Sequence, residues 1–465
     1  MSSVPVRRTA FLSEARITLI LAIPLIIGQL CSMGQGVVEM MLAGHLNAHT
    51  LGAVAIGANV FSLPLMAANG FMMAVPPSVA QLDGSGRRSN VPELFRQSLW
   101  LAVALGFALA LLTWFGGEAV VRAVGAPEGL IADVGAFLRA SSLGLPAIAV
   151  YFACRGVAAG LSATRVAMLF ALLGLVLLVP IGTLLVYGGL GIPSLGAFGS
   201  GLAGAIVNWV QALAFYAWLR FAPRRLGSGR LGLDWSAGRV WPDLRAIFAL
   251  VRLGAPICGS VLLEVGAFSA SALAISRFGE IAAASHQIAL NVAGLTFMVP
   301  LGLSMAITVR VGLAAGRRDA LAVRRAGLAG LAIVLLTQIV SSCGMIGAPA
   351  FIASLYTPDG AVRAGAVTLL LLAGVFQMSD GIQVACSGAL RGLKDAQMPM
   401  AICVIAYWVV AMPVGLVLAF TMDLRAPGMW VGLIAGLTAA AGLLFARFMR
   451  LTRPVRQREA LVLAG

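Results

Sequence analysis

Apolar runs of about 20 or more residues recur along the chain, separated by short stretches rich in arginine, glycine, proline or acidic residues. Hydrocarbon holds no water to satisfy backbone N–H and C=O groups, so each such run predicts a helix that crosses a bilayer. Breaking the chain at the polar stretches predicts about twelve spans. Their centres lie near Gly28, Leu63, Leu105, Gly144, Val176, Asn208, Glu264, Gly294, Leu331, Phe376, Pro413 and Gly436. The expected fold class is all-α, a polytopic membrane protein.

The pattern also repeats. At a shift of 232 residues, Pro24 falls on Pro256, Asn59 on Asn291, Met66 on Met298, Gly70 on Gly302, Met73 on Met305 and Gly84 on Gly316. The same shift lays "CRGVAAGL" (Cys154–Leu161) on "CSGALRGL" (Cys386–Leu393). One register held over separated blocks predicts two six-helix bundles. Six is even, so both bundles enter from the same side, and a parallel repeat about the membrane normal is expected, with the ligand path between the halves. The expected boundaries are residues 1–220 for the amino-terminal bundle and 247–465 for the carboxy-terminal bundle with its basic tail. Residues 221–246, containing "APRRLGSGRLGLDWSAGRVWPD", read as a cytoplasmic linker.

Composition agrees: 60% of residues are hydrophobic and 11% charged, with a net charge of +15. Such an excess on one polar domain would point to nucleic acid, but here the arginines form short clusters between apolar runs. They precede span one (Arg7, Arg8, Arg16) and follow the even spans. These include Arg87, Arg88 and Arg96; Arg155 and Arg165; Arg220 to Arg252; Arg310 to Arg325; Arg391 and Lys394; and Arg447 to Arg458. The positive-inside rule then puts both termini in the cytoplasm, and no nucleic-acid partner is expected. The first apolar run continues past signal-peptide length and is expected to be retained as span one. All six cysteines lie in apolar segments without a CxxC pair and read as packing thiols. The string "GSGLAG" (Gly199–Gly204) enters a span with no strand before it, so small-residue helix packing explains it better than a dinucleotide site. No HExxH, P-loop or metal-spaced histidine cluster occurs, so neither an enzyme nor a cofactor is expected.

Three acidic residues fall inside predicted spans: Glu39, Glu264 and Asp380. A carboxylate at the centre of a membrane helix costs about 2.5–3.5 kcal/mol even on lenient insertion scales. Glu264 lies twelve residues beyond Arg252 and Asp380 eleven before Arg391, so each is about 17 Å from the basic boundary. They share a depth. Their repeat equivalents are Ser32 and Ile148, so the halves share a skeleton but not a chemistry. A hydrogen bond between helices would also explain a buried acid, although Asn or Gln would make one more cheaply. The pair is therefore expected to hold an ion or a cationic substrate. Glu39 lies further toward the outer end of span one. Asn59 and Asn291, at equivalent positions, read first as helix–helix bonding groups. Pro24 and Pro256 can kink spans one and seven.

With these residues in place the chain resembles the multidrug and toxic compound extrusion (MATE) transporters, in particular the bacterial NorM-type branch. The resemblance is carried by "VVEMMLAGHL", "VPPSVAQLDGSGRR", "LLEVGAFSA", "AAASHQIALNVAGLTFMVPLGLSMAITVRVG" and "FQMSDGIQVACSGALRGLKD", and it runs from Ile17 to Arg450. It implies two six-helix bundles around a cleft, in a multi-pass protein of the bacterial inner membrane. It further implies export of cationic drugs or dyes in exchange for Na⁺ or H⁺, with Glu264, Asp380 and Glu39 as coupling-ion and substrate-binding acids. Glu264 and Asp380 would then also be the Na⁺ ligands. Phe376, Gln287, Asn291, Asn59 and Gln29 form a second tier of lining or network residues. Two departures stand out: Val38-Glu39 replaces the usual "VD", and Phe376 replaces a tyrosine one turn before Asp380. Loss of that hydroxyl removes an oxygen that Na⁺ would favour.

The mechanism expected is competition. An ionised carboxylate in a low-dielectric site attracts a lipophilic cation, and an incoming Na⁺ or H⁺ displaces it by neutralising the charge. Alternating access follows from rocking of the two halves. A monomer in the lipid bilayer is expected. The alternative of different class is a flippase for lipid-linked precursors, or another organic-solute exporter of related architecture. A flippase would favour a basic cleft for phosphate, whereas the charges singled out within the spans are acidic.

Overall fold

The computed structural model describes residues 3–123, 125–189, 191, 193–221 and 241–453. Most of the expected linker and the end of the basic tail lie outside the described residues.

Long helices dominate: α1 (Ser3–Leu46), α2 (Ala48–Met72), α3 (Val75–Gly84), α4 (Val91–Ala123), α5 (Glu128–Ser142), α6 (Leu145–Gly160), α7 (Thr164–Tyr187) and α8 (Gly196–Phe221) come from the first half of the sequence. The second half supplies α9 (Leu244–Ser276), α10 (Glu280–Gly316), α11 (Ala320–Gly347), α12 (Pro349–Tyr356), α13 (Gly360–Gly392), α14 (Gln397–Cys403), α15 (Met412–Leu416) and α16 (Arg425–Leu451). Eleven of the resulting segments are long and apolar enough to span a membrane, and α5 with α6 makes a twelfth, bent by 44°. Gly144, the expected centre of span four, sits at that bend. Polar side chains start several helices by capping free N–H groups. Asn47 Oδ1 accepts from Thr50 N at 2.7 Å, Asp319 from Ala322 N at 2.9 Å and Asp359 from Ala361 N at 2.8 Å.

The internal repeat extends to the backbone. Gly86 and Arg318, 232 residues apart, both adopt positive φ (77° and 56°), as do Ser162 and Lys394 (64° and 59°). The turns thus keep their left-handed geometry even where the glycine is gone. Glycine contacts repeat too. A Cβ on Gly160 would lie 2.6 Å from Val79 Cβ, and one on Gly392 would lie 2.8 Å from the equivalent Val311 Cβ.

Contacts divide the chain into two compact units. One comprises Ile27–Cys258, and the other Met1–Ile26 together with Gly259–Gly465. Each unit therefore takes one end segment from the other half of the sequence, and the two crossing points are themselves repeat equivalents. In the amino-terminal unit, Gln97 holds the start of the borrowed segment by donating from Nε2 to Trp241 O (3.1 Å) and accepting from Asp243 N (2.8 Å). Further along, a Cβ on Gly70 would meet Cys258 Cα at 2.6 Å. In the carboxy-terminal unit, Arg310 donates to both oxygens of Glu14 at 2.6 and 2.7 Å. A Cβ on Gly302 would there meet Ile26 N at 2.8 Å and its Cα at 2.9 Å. Apolar cores back both arrangements: Phe170 stacks on Phe215 at 4.4 Å in the first, and Trp430, Tyr407 and Phe376 are buried together in the second.

Gly302→Ala is expected to destabilise the protein by about 1–3 kcal/mol, because the added methyl would meet Ile26 Cγ1 at 2.6 Å and, behind it, the Ile26 backbone, which cannot turn aside. Gly294→Ala, at a position with nothing within 4 Å, serves as the neutral control. Thermal unfolding in detergent compares the two.

Candidate functional site

In the carboxy-terminal unit, α9 carries Glu264 and α13 carries Asp380. Asp380 is 3% exposed and Glu264 is half-buried. Their charges lie close enough to interact, so the fold brings together the two acids that the sequence places at one depth. Arg391, eleven residues beyond Asp380 on α13, supplies a positive counterpart to Glu264 and donates from Nη2 to Ser304 Oγ at 3.1 Å. Gln383, one turn from Asp380, and Tyr407 also flank Glu264.

Tyr407 comes from an unusual stretch. Between α14 and α15, residues Val404–Ala411 form π-helix, and Val417–Thr421 form another π segment. Such widened turns insert an extra residue into a helix and occur frequently at functional sites. The widened backbone here carries a fully buried phenol beside an intramembrane carboxylate.

Hydrogen bonding in this cluster is incomplete. Tyr407 and Gln383 approach the Glu264 carboxylate, yet the buried Tyr407 hydroxyl, Gln383 Oε1 and Arg391 Nε meet no partner in good hydrogen-bonding geometry among the described residues. Each such buried orphan costs about 1–3 kcal/mol. An acceptor oxygen beside two carboxylates is satisfied by either a bound cation or the proton of a carboxylic acid. Tyr407 and Gln383, which bring two of these oxygens, are residues the sequence reading did not single out.

The surroundings are rigid. Phe376 is 4% exposed and packs edge-on against Phe268 (5.9 Å between ring centroids) and Trp430 (5.7 Å), whose Nε1 donates to His286 Nδ1 at 3.1 Å. Phe376 is thus part of the core beneath Asp380. On the same helix Gln377 donates to Thr296 Oγ1 at 2.6 Å and accepts from Gln338 Nε2 at 2.7 Å, forming a buried ladder across α10, α13 and α11. Asn291 is exposed and accepts from Tyr356 Oη at 2.9 Å, and Gln287 is exposed one turn earlier. Asn59 is exposed as well, and among the described residues its side chain has no hydrogen bond to match that of Asn291.

Glu39, in the amino-terminal unit, is half-buried on α1 and faces Gly204 on α8, where a Cβ would lie 2.9 Å from its Oε1. The last glycine of "GSGLAG" thus leaves room for a carboxylate, while Gly201 lets α8 approach Phe137 O. Gln29, on the same helix, accepts from Arg155 Nη1 at 3.0 Å. Arg155 and Arg391 read from the sequence as boundary markers, yet both belong to polar networks inside the helical units.

Comparison with known proteins agrees with this architecture. The MatE family profile matches residues 24–184 and again 256–417, two matches that start 232 residues apart. A probable multidrug resistance protein NorM from Xanthomonas axonopodis pv. citri is 43% identical over 458 residues, covering 97% of this chain and 98% of that protein. The protein of the same name from Xanthomonas campestris pv. campestris is 43% identical over 97% of each. Among solved structures, a MATE in the bent conformation superposes with a TM-score of 0.87 at 19% identity over 97% of both chains. The eukaryotic MATE transporter AtDTX14 gives 0.84 at 18% identity, over 97% of this chain and 99% of that one. The chain belongs to the MatE family, whose members are multi-pass membrane transporters rather than enzymes.

Tyr407→Phe separates a packing role from a chemical one. Deleting a buried hydroxyl without a partner is expected to leave thermal stability unchanged or slightly raised. Loss of a group that bonds a charged carboxylate during transport, worth about 1.5–3 kcal/mol, is expected to lower efflux about tenfold or more. Dye efflux and melting temperature of one purified variant read both effects.

Proposed function

We propose that the chain is a multidrug efflux antiporter, exporting cationic or amphipathic organic compounds in exchange for Na⁺ or H⁺ by alternating access. The observation that carries this reading is the pairing of Glu264 with Asp380 inside one helical unit, beside orphaned oxygens of Gln383 and Tyr407. Two carboxylates at such a place are costly as structure and useful as a cation site. In the outward-open state the incoming ion neutralises them and cargo leaves; in the inward-open state its release restores the attraction for the next cation. Arg391 beside Glu264 limits the pair's net charge, so that one ion suffices to discharge it.

The choice of ion turns on oxygen count. Phe376 contributes none, while Tyr407 and Gln383 bring two to the carboxylates; Na⁺ favours several oxygens and a proton needs one acceptor. Na⁺ or H⁺ coupling is thus a matter of how many of these oxygens converge. Glu39 forms a further cation-attracting position in the amino-terminal unit. The placement that goes with this function is a bacterial inner membrane, both termini in the cytoplasm, with the protein acting as a monomer. A flippase is the second class; the paired acids favour cationic cargo over a phosphate-bearing lipid.

Glu264→Gln and Asp380→Asn are each expected to abolish efflux of a cationic dye from energised proteoliposomes while membrane yield stays near that of the wild type. Retained efflux in both variants removes the coupling assignment. Imposed Na⁺ and H⁺ gradients on the wild type then identify the ion, since only the coupled gradient drives dye movement.

A further inference from the structure

Arg155 is the only charged residue between Arg139 and Arg165, and it lies on α6 within a membrane-spanning pair of helices. Its guanidinium is fixed. Nη1 donates to Gln29 Oε1 on α1 at 3.0 Å, Nη2 donates to Asn69 Oδ1 on α2 at 2.8 Å, and Cζ lies 4.7 Å over the Phe152 ring centroid. All three partners are neutral. Three other interior arginines have carboxylates: Arg310 pairs with Glu14, Arg447 with Asp395 at 2.9 Å, and Arg391 lies near Glu264. Arg155 has none.

The amides sharpen the contrast. Each turns its oxygen toward the guanidinium, and the NH₂ groups of Gln29 and Asn69 make no hydrogen bond among the described residues. The cluster therefore offers one uncompensated positive charge and a surplus of N–H donors, with all three side chains half-buried. A cation held this way in a low-dielectric region attracts an anion, and a planar guanidinium flanked by amide donors matches an organic carboxylate.

A stripe on α1 runs from this cluster. Gln29, Ser32, Gln35 and Glu39 recur at spacings of three, three and four, so they share one helix face. Ten residues separate Gln29 from Glu39, about 15 Å along the axis. We propose that Arg155, Gln29 and Asn69 form an anion-recognising subsite that takes the carboxylate of zwitterionic cargo whose cationic end lies toward Glu39. The proposal rests on the export reading above and deepens it from cations to molecules carrying both charges.

Asn69→Asp tests it with minimal change of shape, because it sets a carboxylate where an amide oxygen already accepts from Arg155. The probes are a cationic xanthene dye with a free benzoic acid and the methyl ester of the same dye, assayed in proteoliposomes. The acid-to-ester transport ratio is expected to fall about tenfold or more in Asn69→Asp. Arg155→Lys, which keeps the charge but loses the fork, is expected to lower it less. If Arg155 serves only to tie α1, α2 and α6 together, Asp strengthens the tie and the ratio stays at the wild-type value, which overturns the proposal. Wild-type protein gives a second readout: the acid is expected to raise the melting temperature more than the ester, and equal shifts also overturn it. Failure of the wild type to move the ester at all sinks the export reading itself, a separate outcome.

Discussion

A polar group surrounded by hydrocarbon must find a partner or carry its desolvation cost, and this constraint shapes the whole molecule. The backbone meets it by forming helices almost throughout the described residues. Side chains meet it pairwise: Glu14 with Arg310, Asp395 with Arg447, Gln338 with Gln377, Trp430 with His286. The places where the pairing stays open then stand out. Two of them bear charge: the carboxylate pair with Tyr407 and Gln383 beside it, and the arginine held by two amides and an aromatic ring.

Close packing of helices is the second requirement, since hydrocarbon tails give little hydrophobic drive for one helix to join another. Glycine provides the contact area by letting backbones meet. The equivalence of Gly70 with Gly302, and of Gly160 with Gly392, shows that both halves use one set of contact points. The halves differ where glycine and alanine give way to chemistry. Ser32 and Ile148 occupy the positions of Glu264 and Asp380, while Ser387 occupies that of Arg155. One scaffold thus holds an acidic centre in one unit and a basic one in the other.

Much of the fold was legible in the sequence because membrane spans announce themselves by length and hydropathy alone. The repeat register was legible because glycines and prolines at contact points resist replacement by shape. Glu264 and Asp380 could be placed at one depth because helical rise is constant. Tyr407 and Gln383 could not be joined to them, since which face of one helix meets another is not encoded in spacing along either. The π-helical turns around Tyr407 disturb even the local periodicity. Arg155 gave the same signal as Glu264, a lone charge in an apolar stretch, but its sign matched the topology rule and hid its surroundings. The exchanged ends of α1 and α9 depend on contacts between segments hundreds of residues apart, about which local patterning is silent.

That exchange has a consequence for how such a chain comes into being. Each sequence half lacks a segment that its unit needs and supplies one that the other unit needs, with the crossover at equivalent residues, Ile26 and Cys258. This is the arrangement of a domain-swapped dimer whose two protomers have been fused. A single repeat made alone would have to break its first helix at the crossover or pair with a second copy to complete its core. During synthesis, the first bundle likewise stays unfinished until the ribosome has delivered the start of the second.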